Sequence, residues 1–337
     1  MRYVGAIVVE VVVLACLVTA ANITAAESKG KTFTNPKSAG QDYQLQGEYV
    51  GEFKSEDREG KLGIQVIALG EGKFRAVAYI GGLPGDGWSA GREKYAGDGE
   101  MKDGQVDFKA DGSDADDRTN AFLKDGRITV MHGEEKVAEL KKVNRKSPTL
   151  NAKPPKGAID LFDGSNTDEW VDGKLVNKKL LGATGTSTKR KFNDHTLHIE
   201  FRTPFMPEAR GQGRGNSGVY IQGRYECQVL DSFGLEGEDN ECGGIYSISK
   251  PAVNMCYPPL SWQTYDIDFT AAKYDADGKK NKNARVTIKH NGVPIYEDLE
   301  IKHGTPGYHP EGPGPDSLFL QDHGNPVMFR NIWVVEK

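Results

Sequence analysis

The sequence predicts an all-β protein whose C-terminal half is a sandwich or jelly roll, preceded by a smaller β domain. Short runs of alternating apolar and polar residues recur along the chain, each bounded by Gly or Asp-Gly turns. No stretch of a dozen residues shows the 3.6-residue period of an amphipathic helix. The 41 glycines among 337 residues favour tight turns over long helices. This length suits two domains, or one large all-β domain with additions.

Residues 1–26 are interpreted as a signal peptide. Arg2 precedes an apolar run that extends to Ala20, and the small residues that follow fit a signal-peptidase cleavage site. Glu10 inside the apolar run is unusual for such a peptide, so a retained N-terminal anchor is the alternative. No later segment approaches the ~18 consecutive apolar residues of a membrane span. We therefore expect a secreted or periplasmic protein with no transmembrane domain in its mature chain.

Residues 30–146 are predicted to form the accessory β domain. Runs such as KLGIQVIAL, KFRAVAYI and QVDFKA alternate in the manner of strands, and Asp103-Gly104 and Asp125-Gly126 mark turns. Residues 147–157, SPTLNAKPPKG, contain three prolines and almost no apolar side chain, which predicts an extended linker. The accessory domain carries little functional signal.

Residues 158–337 are predicted to form the jelly roll. LHIEFRT (197–203) and QTYDIDFT (263–270) alternate apolar and polar residues, as half-buried strands do. RVTIKHNGVPIYED places an Asn291-Gly292 turn between two alternating flanks, which predicts a hairpin. Many short antiparallel strands without alternating helices indicate a sandwich.

The stretch GNSGVYIQGRYECQVLDSFG (215–234) predicts a further hairpin with a two-residue turn. In this register Glu226 and Gln228 share a face with Val219 and Ile221. A carboxylate on a half-apolar face is partly desolvated, which raises its pKa toward the range of a general acid or base. Glu226 is therefore a candidate catalytic residue. The alternative is an exposed Glu on a solvent face, and a bulge in the turn would exchange the two faces.

Other polar residues near this hairpin are candidates as well. Asp231 ends the second strand, where a carboxylate can join a site or simply cap a turn. Arg210 and Arg214 lie in the Gly-rich run PEARGQGRGN, from which they could reach a ligand, unless the run is a plain solvated loop. His323, in LQDHGNPVMF, is of the residue type best suited to proton transfer near neutral pH, although a turn histidine often has no such role.

Cysteine usage and charge restrict the remaining possibilities. Cys242 and Cys256 bracket a short loop and are the expected disulfide pair of an exported chain, whereas Cys227 is expected to pack as a small hydrophobe. The chain has no zinc pattern, nucleotide-binding fingerprint or serine-hydrolase motif, so no cofactor is predicted. The Asp-rich stretches 111–117 and 275–281 lack the spacing of a calcium loop, although a structural calcium or a catalytic divalent metal stays open. A net charge of −5 without a basic patch argues against nucleic acid as a partner.

The chain from about residue 157 to its end resembles the 3-keto-disaccharide hydrolase family, formerly called domain of unknown function 1080. The resemblance rests, in chain order, on LFDGSNTDEW, GNSGVYIQGRYECQVLDSFG, CGGIYSISKPAVNMCYPPLSWQTYDIDF, RVTIKHNGVPI and LQDHGNPVMFRNIW. It implies a jelly roll of the concanavalin A-like or laminin-G-like type. It also implies action on sugars already oxidised at C3, by cleaving 3-keto-glycosides or by hydrating the unsaturated keto-sugars that result.

The family resemblance also suggests roles for individual residues. The matching motif positions are Asn216, Ser217, Gly218, Tyr220, Glu226, Gln228, Asp231, Gln321, Asp322, His323 and Asn325. The predicted catalytic residues are Glu226 as acid/base, His323 as the second proton-transfer group, and Asp231, which orients hydroxyls. The predicted substrate-binding residues are Asn216, Tyr220, Gln228, Gln321, Asp322 and Asn325, with Arg210 and Arg214. We expect an exported enzyme acting on an oligosaccharide or keto-sugar; the alternative is a non-catalytic carbohydrate-binding or surface-interaction module.

Overall fold

The computed structural model describes residues 30–111 and 119–337. The predicted signal peptide at residues 1–26 lies outside the described residues, as does most of the Asp-rich stretch 111–117. Within the described part, no helix is long and apolar enough to cross a membrane. A 3-10 turn at Pro36–Ser38 and a short helix, α1 (Gly40–Leu45), precede the first strand.

The N-terminal domain is a closed barrel of eight antiparallel strands. The strands from Gly47 to Val143 are β1 (Gly47–Lys54), β2 (Glu59–Gly70), β3 (Lys73–Ile80), β4 (Leu83–Pro84), β5 (Gly87–Trp88), β6 (Lys94–Lys102), β7 (Gln105–Ala110), β8 (Thr119–Lys124), β9 (Arg127–His132) and β10 (Glu135–Val143). Apart from the short parallel pair β4 and β5, each strand pairs with the next along the chain. β10 pairs with β1 and closes the barrel.

Side chains fill the interior of the barrel. Tyr49, Phe74 and Leu140 are fully buried there, because every second residue of a strand points inward. Gly51 of β1 pairs with Leu140 of β10, and a Cβ at this position would collide with the backbone oxygen of Glu139. The alternation of the sequence predicts the strands, but the closure depends on a pairing between the two ends of the domain.

The C-terminal domain is a sandwich of two antiparallel sheets. Its strands are β11 (Ile159–Phe162), β12 (Trp170–Val171), β13 (Leu175–Val176), β14 (Leu180–Gly182), β15 (Thr186–Thr188), β16 (His195–Arg202), β17 (Ser217–Ile221), β18 (Tyr225–Val229), β19 (Gln263–Thr270), β20 (Lys273–Tyr274), β21 (Lys280–Lys282), β22 (Ala284–His290), β23 (Val293–Ile301), β24 (Phe319–Leu320) and β25 (Met328–Glu336). The larger sheet has the order β13-β14-β25-β16-β19-β22-β23, with β11 also paired to β25. The smaller sheet has the order β12-β15-β24-β17-β18, and β20 and β21 form a separate hairpin.

The core of this domain lies between the two sheets. The larger sheet contributes Phe201, Tyr265 and Phe269, and the smaller sheet contributes Val219 and Tyr225, all of them fully buried. Burial of the apolar inner faces of both sheets is what stabilises such a sandwich. The predicted all-β fold with a jelly-roll-type sandwich is confirmed.

The barrel shares a hydrophobic core with the sandwich. Ile67, Val77 and Tyr79 on β2 and β3 belong to the same buried cluster as the sandwich core. Gly234 permits this contact, because a Cβ there would collide with the Ile67 side chain. The accessory domain is therefore packed against the sandwich rather than tethered beside it.

The first part of the Pro-rich segment, residues 147–152, packs onto the larger sheet, whereas residues 153–157 are exposed as expected of a linker. Ser147 Oγ lies 2.6 Å from Thr264 Oγ1 on β19, and the backbone N–H of Asn151 donates to the buried carboxylate of Glu200 on β16. The segment has almost no apolar residues, so its sequence shows no sign of packing. Polar hydrogen bonds hold it instead.

Candidate active site

The hairpin formed by β17 and β18 turns through three residues, Gln222–Arg224, and not through the two predicted. Gln222 and Gly223 both adopt the left-handed conformation, with φ of 52° and 63°. The register pairs Tyr220 with Glu226 and Ile221 with Tyr225. The extra residue moves β18 by one position relative to the predicted register.

This shift exchanges the two faces of β18. Glu226 and Gln228 lie on the same face as Tyr220, not with Val219 and Ile221 as predicted, since paired residues share a face. Val219 and Ile221 point into the core between the sheets. Glu226 thus belongs to the outer face of the smaller sheet, yet only 3% of the residue is exposed.

The Glu226 carboxyl is buried beside the Tyr220 hydroxyl. Tyr220 donates a hydrogen bond of 2.8 Å to Glu226 Oε2. Burial raises the pKa of Glu226 to about 7, and the hydrogen bond from Tyr220 opposes that rise. The carboxyl fits because residue 218 is glycine: a Cβ there would lie far inside contact distance of Glu226 Oε1. Near neutral pH, Glu226 can therefore both accept and release a proton.

Residues 303–316, between β23 and β24, cover this carboxyl and are called the wall segment below. Thr305 Oγ1 accepts a hydrogen bond of 2.9 Å from the backbone N–H of Glu226. Gly307 lies against the Tyr220 hydroxyl, where a Cβ would collide with the oxygen, and its φ of 118° also favours glycine. The burial that raises the pKa of Glu226 is therefore supplied in part by a loop far along the chain.

Stacked rings attach the wall segment to the sheet. Tyr308 stacks on Phe319 of β24 with ring centroids 3.9 Å apart, and Phe319 meets Tyr220 edge-on at 5.5 Å. His309 stacks on Tyr308, and its Nδ1 lies 2.9 Å from Asp316 Oδ2. These contacts hold the ring of Tyr220 in place beside Glu226.

A network of carboxamide side chains connects β17 and β18 with two loops. The backbone N–H of Asn216 donates to Asn325 Oδ1 at 2.8 Å. Asn216 Nδ2 and Gln228 Nε2 both donate to Gln212 Oε1, at 2.9 Å and 3.2 Å. The network fixes the positions of three residues that the sequence predicts to bind substrate.

Several buried polar atoms of this region lack a partner. Gln321 Nε2 donates to the Tyr220 hydroxyl at 3.2 Å. Gln321 Oε1, Asn216 Oδ1 and Asn325 Nδ2, in contrast, have no hydrogen-bond partner among residues 30–111 and 119–337. Unpaired buried donors and acceptors are costly and call for an explanation. Sugar hydroxyls, which both donate and accept, are suited to satisfy such a set.

Asp231, Arg210 and Arg214 occupy the contact between the sandwich and the barrel. Arg214 Nε donates to Asp231 Oδ2 at 2.7 Å, and both side chains are almost fully buried. The Arg214 guanidinium also approaches the carbonyl oxygen of Ala68 on β2, and Arg210 donates to that of Leu69 at 2.9 Å. The run that carries them is therefore anchored to the barrel through both arginines. In this structure the two arginines bind the protein itself.

Asp322 and His323 lie at the exposed end of the same region. Asp322 Oδ1 accepts a hydrogen bond of 2.8 Å from the backbone N–H of Gly324, which is the role of a turn cap. The His323 side chain is exposed and makes no hydrogen bond or ion pair within the described part of the chain. Its predicted part in proton transfer stays a prediction.

The expected disulfide between Cys242 and Cys256 is absent. Both residues are free thiols, and both are buried, as is Cys227. Cys242 Sγ lies 3.2 Å from the Tyr265 hydroxyl, and Cys227 packs in the core as expected. The short loop in the sequence brings the two thiols near each other, but the packing of the core, and not a covalent bond, holds them.

Comparison with known proteins shows the family of the C-terminal domain. The family model of the 3-keto-alpha-glucoside-1,2-lyase-like domain matches residues 157–335, just over half of the chain. The chain belongs to this family. It is the family that the sequence motifs resemble, and it supports a carbohydrate-active function.

Solved structures of related proteins come from Parabacteroides distasonis ATCC 8503, each provisionally described as a glycosyl hydrolase. One is 32% identical over 54% of this chain and 85% of its own, with a TM-score of 0.49. A second is 19% identical over 54% and 94%, with a TM-score of 0.41. No curated protein matches the chain.

The sequence did not predict several residues that shape the site in this lyase-like domain. They are Gln212, Thr305, Gly307, Tyr308 and Phe319. The stretch HGTPGYHPEGPGPDS, which combines Gly and Pro with His and Tyr, was an available signal for a functional loop. Among residues 30–111 and 119–337, no group of three or more His, Cys, Asp or Glu side chains is placed to hold a metal ion.

Proposed function

We propose that this chain is an exported enzyme that cleaves the glycosidic bond of 3-keto-glycosides, with Glu226 as the proton-transfer group. The observation that carries the proposal is the buried Glu226 carboxyl, whose pKa of about 7 suits acid/base work at neutral pH. Unpaired carboxamide atoms of Asn216, Gln321 and Asn325, on and beside the same hairpin, support a sugar as the ligand. Export is supported by the signal-peptide pattern of residues 1–26.

The chemistry follows from the ketone at C3 of the sugar, which acidifies the proton on C2. The ionised Glu226 removes this proton, and the electron pair of the C2–H bond forms an enolate with its charge on the C3 oxygen. The enolate returns to the ketone as the electron pair forms a double bond between C1 and C2. The bond from C1 to the glycosidic oxygen breaks, and the leaving oxygen takes a proton, which the newly protonated Glu226 can supply. Addition of water to the double bond then gives net hydrolysis.

The charge that develops on the C3 oxygen requires a hydrogen-bond donor. Asn325 Nδ2 is a buried donor without a partner in the described residues, so it is the group we assign to this oxygen. Asn216 Oδ1 and Gln321 Oε1 are acceptors and are assigned to the sugar hydroxyls. His323, on the exposed turn, is kept as the second proton-transfer group to be tested.

A non-catalytic carbohydrate-binding module is the second candidate function. The carboxamide network favours it, because amides are sufficient to bind hydroxyls without converting the sugar. A raised carboxyl pKa is not needed for binding alone, so the two functions differ in what they require of Glu226.

The test is incubation of the purified protein with 3-keto-trehalose or an aryl 3-keto-glucoside, with release of the second sugar or of the aglycone as the readout. Wild type should turn over, and Glu226→Gln should lose at least about a hundredfold in rate while remaining folded. Glu169→Gln, which alters a partly exposed carboxylate paired with Arg190, is the matched control and should keep full activity. If the wild-type protein binds these sugars without converting them, the proposed enzymatic function is wrong and the carbohydrate-binding module is the function that remains. Loss of activity in His323→Ala would support His323 as the second proton-transfer group, and full activity would exclude that role.

A further inference from the structure

The loop GGLPGDGW (81–88) is shaped to fit between the barrel and the sandwich. Gly82 and Gly87 have φ of 123° and 107°, and a Cβ on either would collide with the backbone of the loop itself. A Cβ on Gly85 would collide with Met255 of the sandwich. The loop therefore requires glycine at several positions and places Trp88 at the boundary between the two domains.

An open furrow runs along this boundary and is called the seam furrow below. It consists of two adjoining cavities of about 350 and 240 Å³ that share Lys94, Leu235 and Glu236. Trp88 lines the larger cavity and Tyr95 the smaller. Tyr95 and Leu235 are large apolar residues left exposed, at 52% and 41%. The furrow thus has an apolar surface that nothing in the described chain covers.

Polar groups accompany this apolar surface. Arg92 and Lys250 line the larger cavity, and neither has a carboxylate partner within residues 30–111 and 119–337. Lys94 forms an ion pair with Glu236 across the furrow. The indole N–H of Trp88 is buried and has no acceptor in the described part of the chain. An unsatisfied buried donor of this kind is unusual in a finished interface.

We propose that the seam furrow is a second saccharide-binding site, separate from the face that carries Glu226. A pyranose ring has one apolar face of C–H groups, which packs on Trp88, Tyr95 and Leu235, and hydroxyls at its rim, which the charged side chains bind. Two cavities in a row suit an oligosaccharide better than a single sugar. A simple anion would use the cations but would leave the aromatic surface exposed. The inference rests on the carbohydrate function proposed above, but not on the chemistry of Glu226.

The test compares two leucines of similar exposure. Leu235 is 41% exposed in the furrow, and Leu175 is 43% exposed on the edge strand β13. Binding of maltotetraose, cellotetraose and laminaritetraose to the full chain is followed by isothermal titration and by tryptophan fluorescence. We expect at least one of these to bind, and Leu235→Ala and Tyr95→Ala each to weaken it about fivefold to tenfold. Leu175→Ala should bind as wild type does.

Turnover of a small aryl 3-keto-glucoside is measured on the same preparations. Leu235→Ala and Tyr95→Ala should leave this turnover unchanged. The turnover assay therefore tests the proposed catalysis, and the binding assay tests the proposed furrow site independently of it. The inference is overturned if none of the three oligosaccharides binds. It is also overturned if their binding is lost in Gln321→Ala but not in Leu235→Ala, or if inorganic phosphate binds in the furrow and the saccharides do not.

Discussion

Replacement of Tyr220 by Phe tests the electrostatic control of Glu226. The change removes the hydroxyl that donates to Glu226 Oε2 at 2.8 Å and keeps the ring that meets Phe319. Because this hydrogen bond favours the ionised carboxylate, its loss should raise the pKa of Glu226 above its value of about 7. A hydrogen bond to a charged group contributes about 1.5–3 kcal/mol, and one pKa unit corresponds to about 1.4 kcal/mol. The expected upward shift is therefore about one to two units.

The assay is the pH dependence of kcat/KM on an aryl 3-keto-glucoside. If ionised Glu226 is the base, activity rises with pH through about 7 in wild type. In Tyr220→Phe the same rise should move to about pH 8–9. Tyr225→Phe is the matched control on the same hairpin, because the Tyr225 hydroxyl donates to Glu311 instead and its loss should leave the midpoint at about 7.

A midpoint that does not move in Tyr220→Phe would refute the reasoning, and so would wild-type activity that falls as the pH rises through 7. Where the variant is too slow for a full profile, the pKa of Glu226 can be followed directly by its carboxyl ¹³C chemical shift. An unchanged NMR titration midpoint in the folded variant would have the same meaning.

Three further predictions concern stability and packing. The pKa of Glu226 rises from 4.5 to about 7 on folding, so its ionisation lowers the free energy of unfolding as the pH passes from 4.5 to 7. Glu226→Gln should therefore stabilise the protein by about 3 kcal/mol near pH 8 and hardly at all near pH 4, as measured by urea unfolding. Asp231→Asn leaves the buried Arg214 without its counter-charge and should cost about 3–5 kcal/mol, much of which the double change Arg214→Met with Asp231→Leu should recover; equal stability of all three proteins would contradict this. Gly218→Ala forces a methyl group against the Glu226 carboxyl and should reduce turnover about as much as Glu226→Gln does, whereas wild-type turnover would show that the carboxyl can move away.

The pKa of Glu226 is raised as predicted, but for a different physical reason, and its catalytic role stays a prediction. The sequence predicts Glu226 on the same face as Val219 and Ile221, where these two side chains would bury the carboxyl and raise its pKa. In the structure these two residues face the core, and Glu226 is covered by Tyr220 and the wall segment. The wall segment lies about eighty positions further along the chain, so no local pattern connects it with Glu226.

Two turns show where local sequence is sufficient. Asn291-Gly292 was predicted as a two-residue turn, and the structure has it, with φ of 51° and 80° and with His290 paired to Val293. Both residues readily adopt the left-handed conformation, so the turn is decided by the dipeptide itself. Alternation with a period of two likewise determined the strands, and with them the all-β class.

The turn at Gln222–Arg224, in contrast, depends on contacts with a distant part of the chain. Gly223 lies under Tyr308 and His309 of the wall segment, where a Cβ would be crowded, and its carbonyl accepts the backbone N–H of His309. The register of β18, and therefore the face that carries Glu226, depends on this long-range contact. The closure of the barrel through β1 and β10 and the ion pair of Arg214 with Asp231 are of the same kind. The sequence by itself determined which residues form strands and which family motifs are present. Only the tertiary structure decided which side chains meet, because those contacts join segments whose local patterns carry no information about one another.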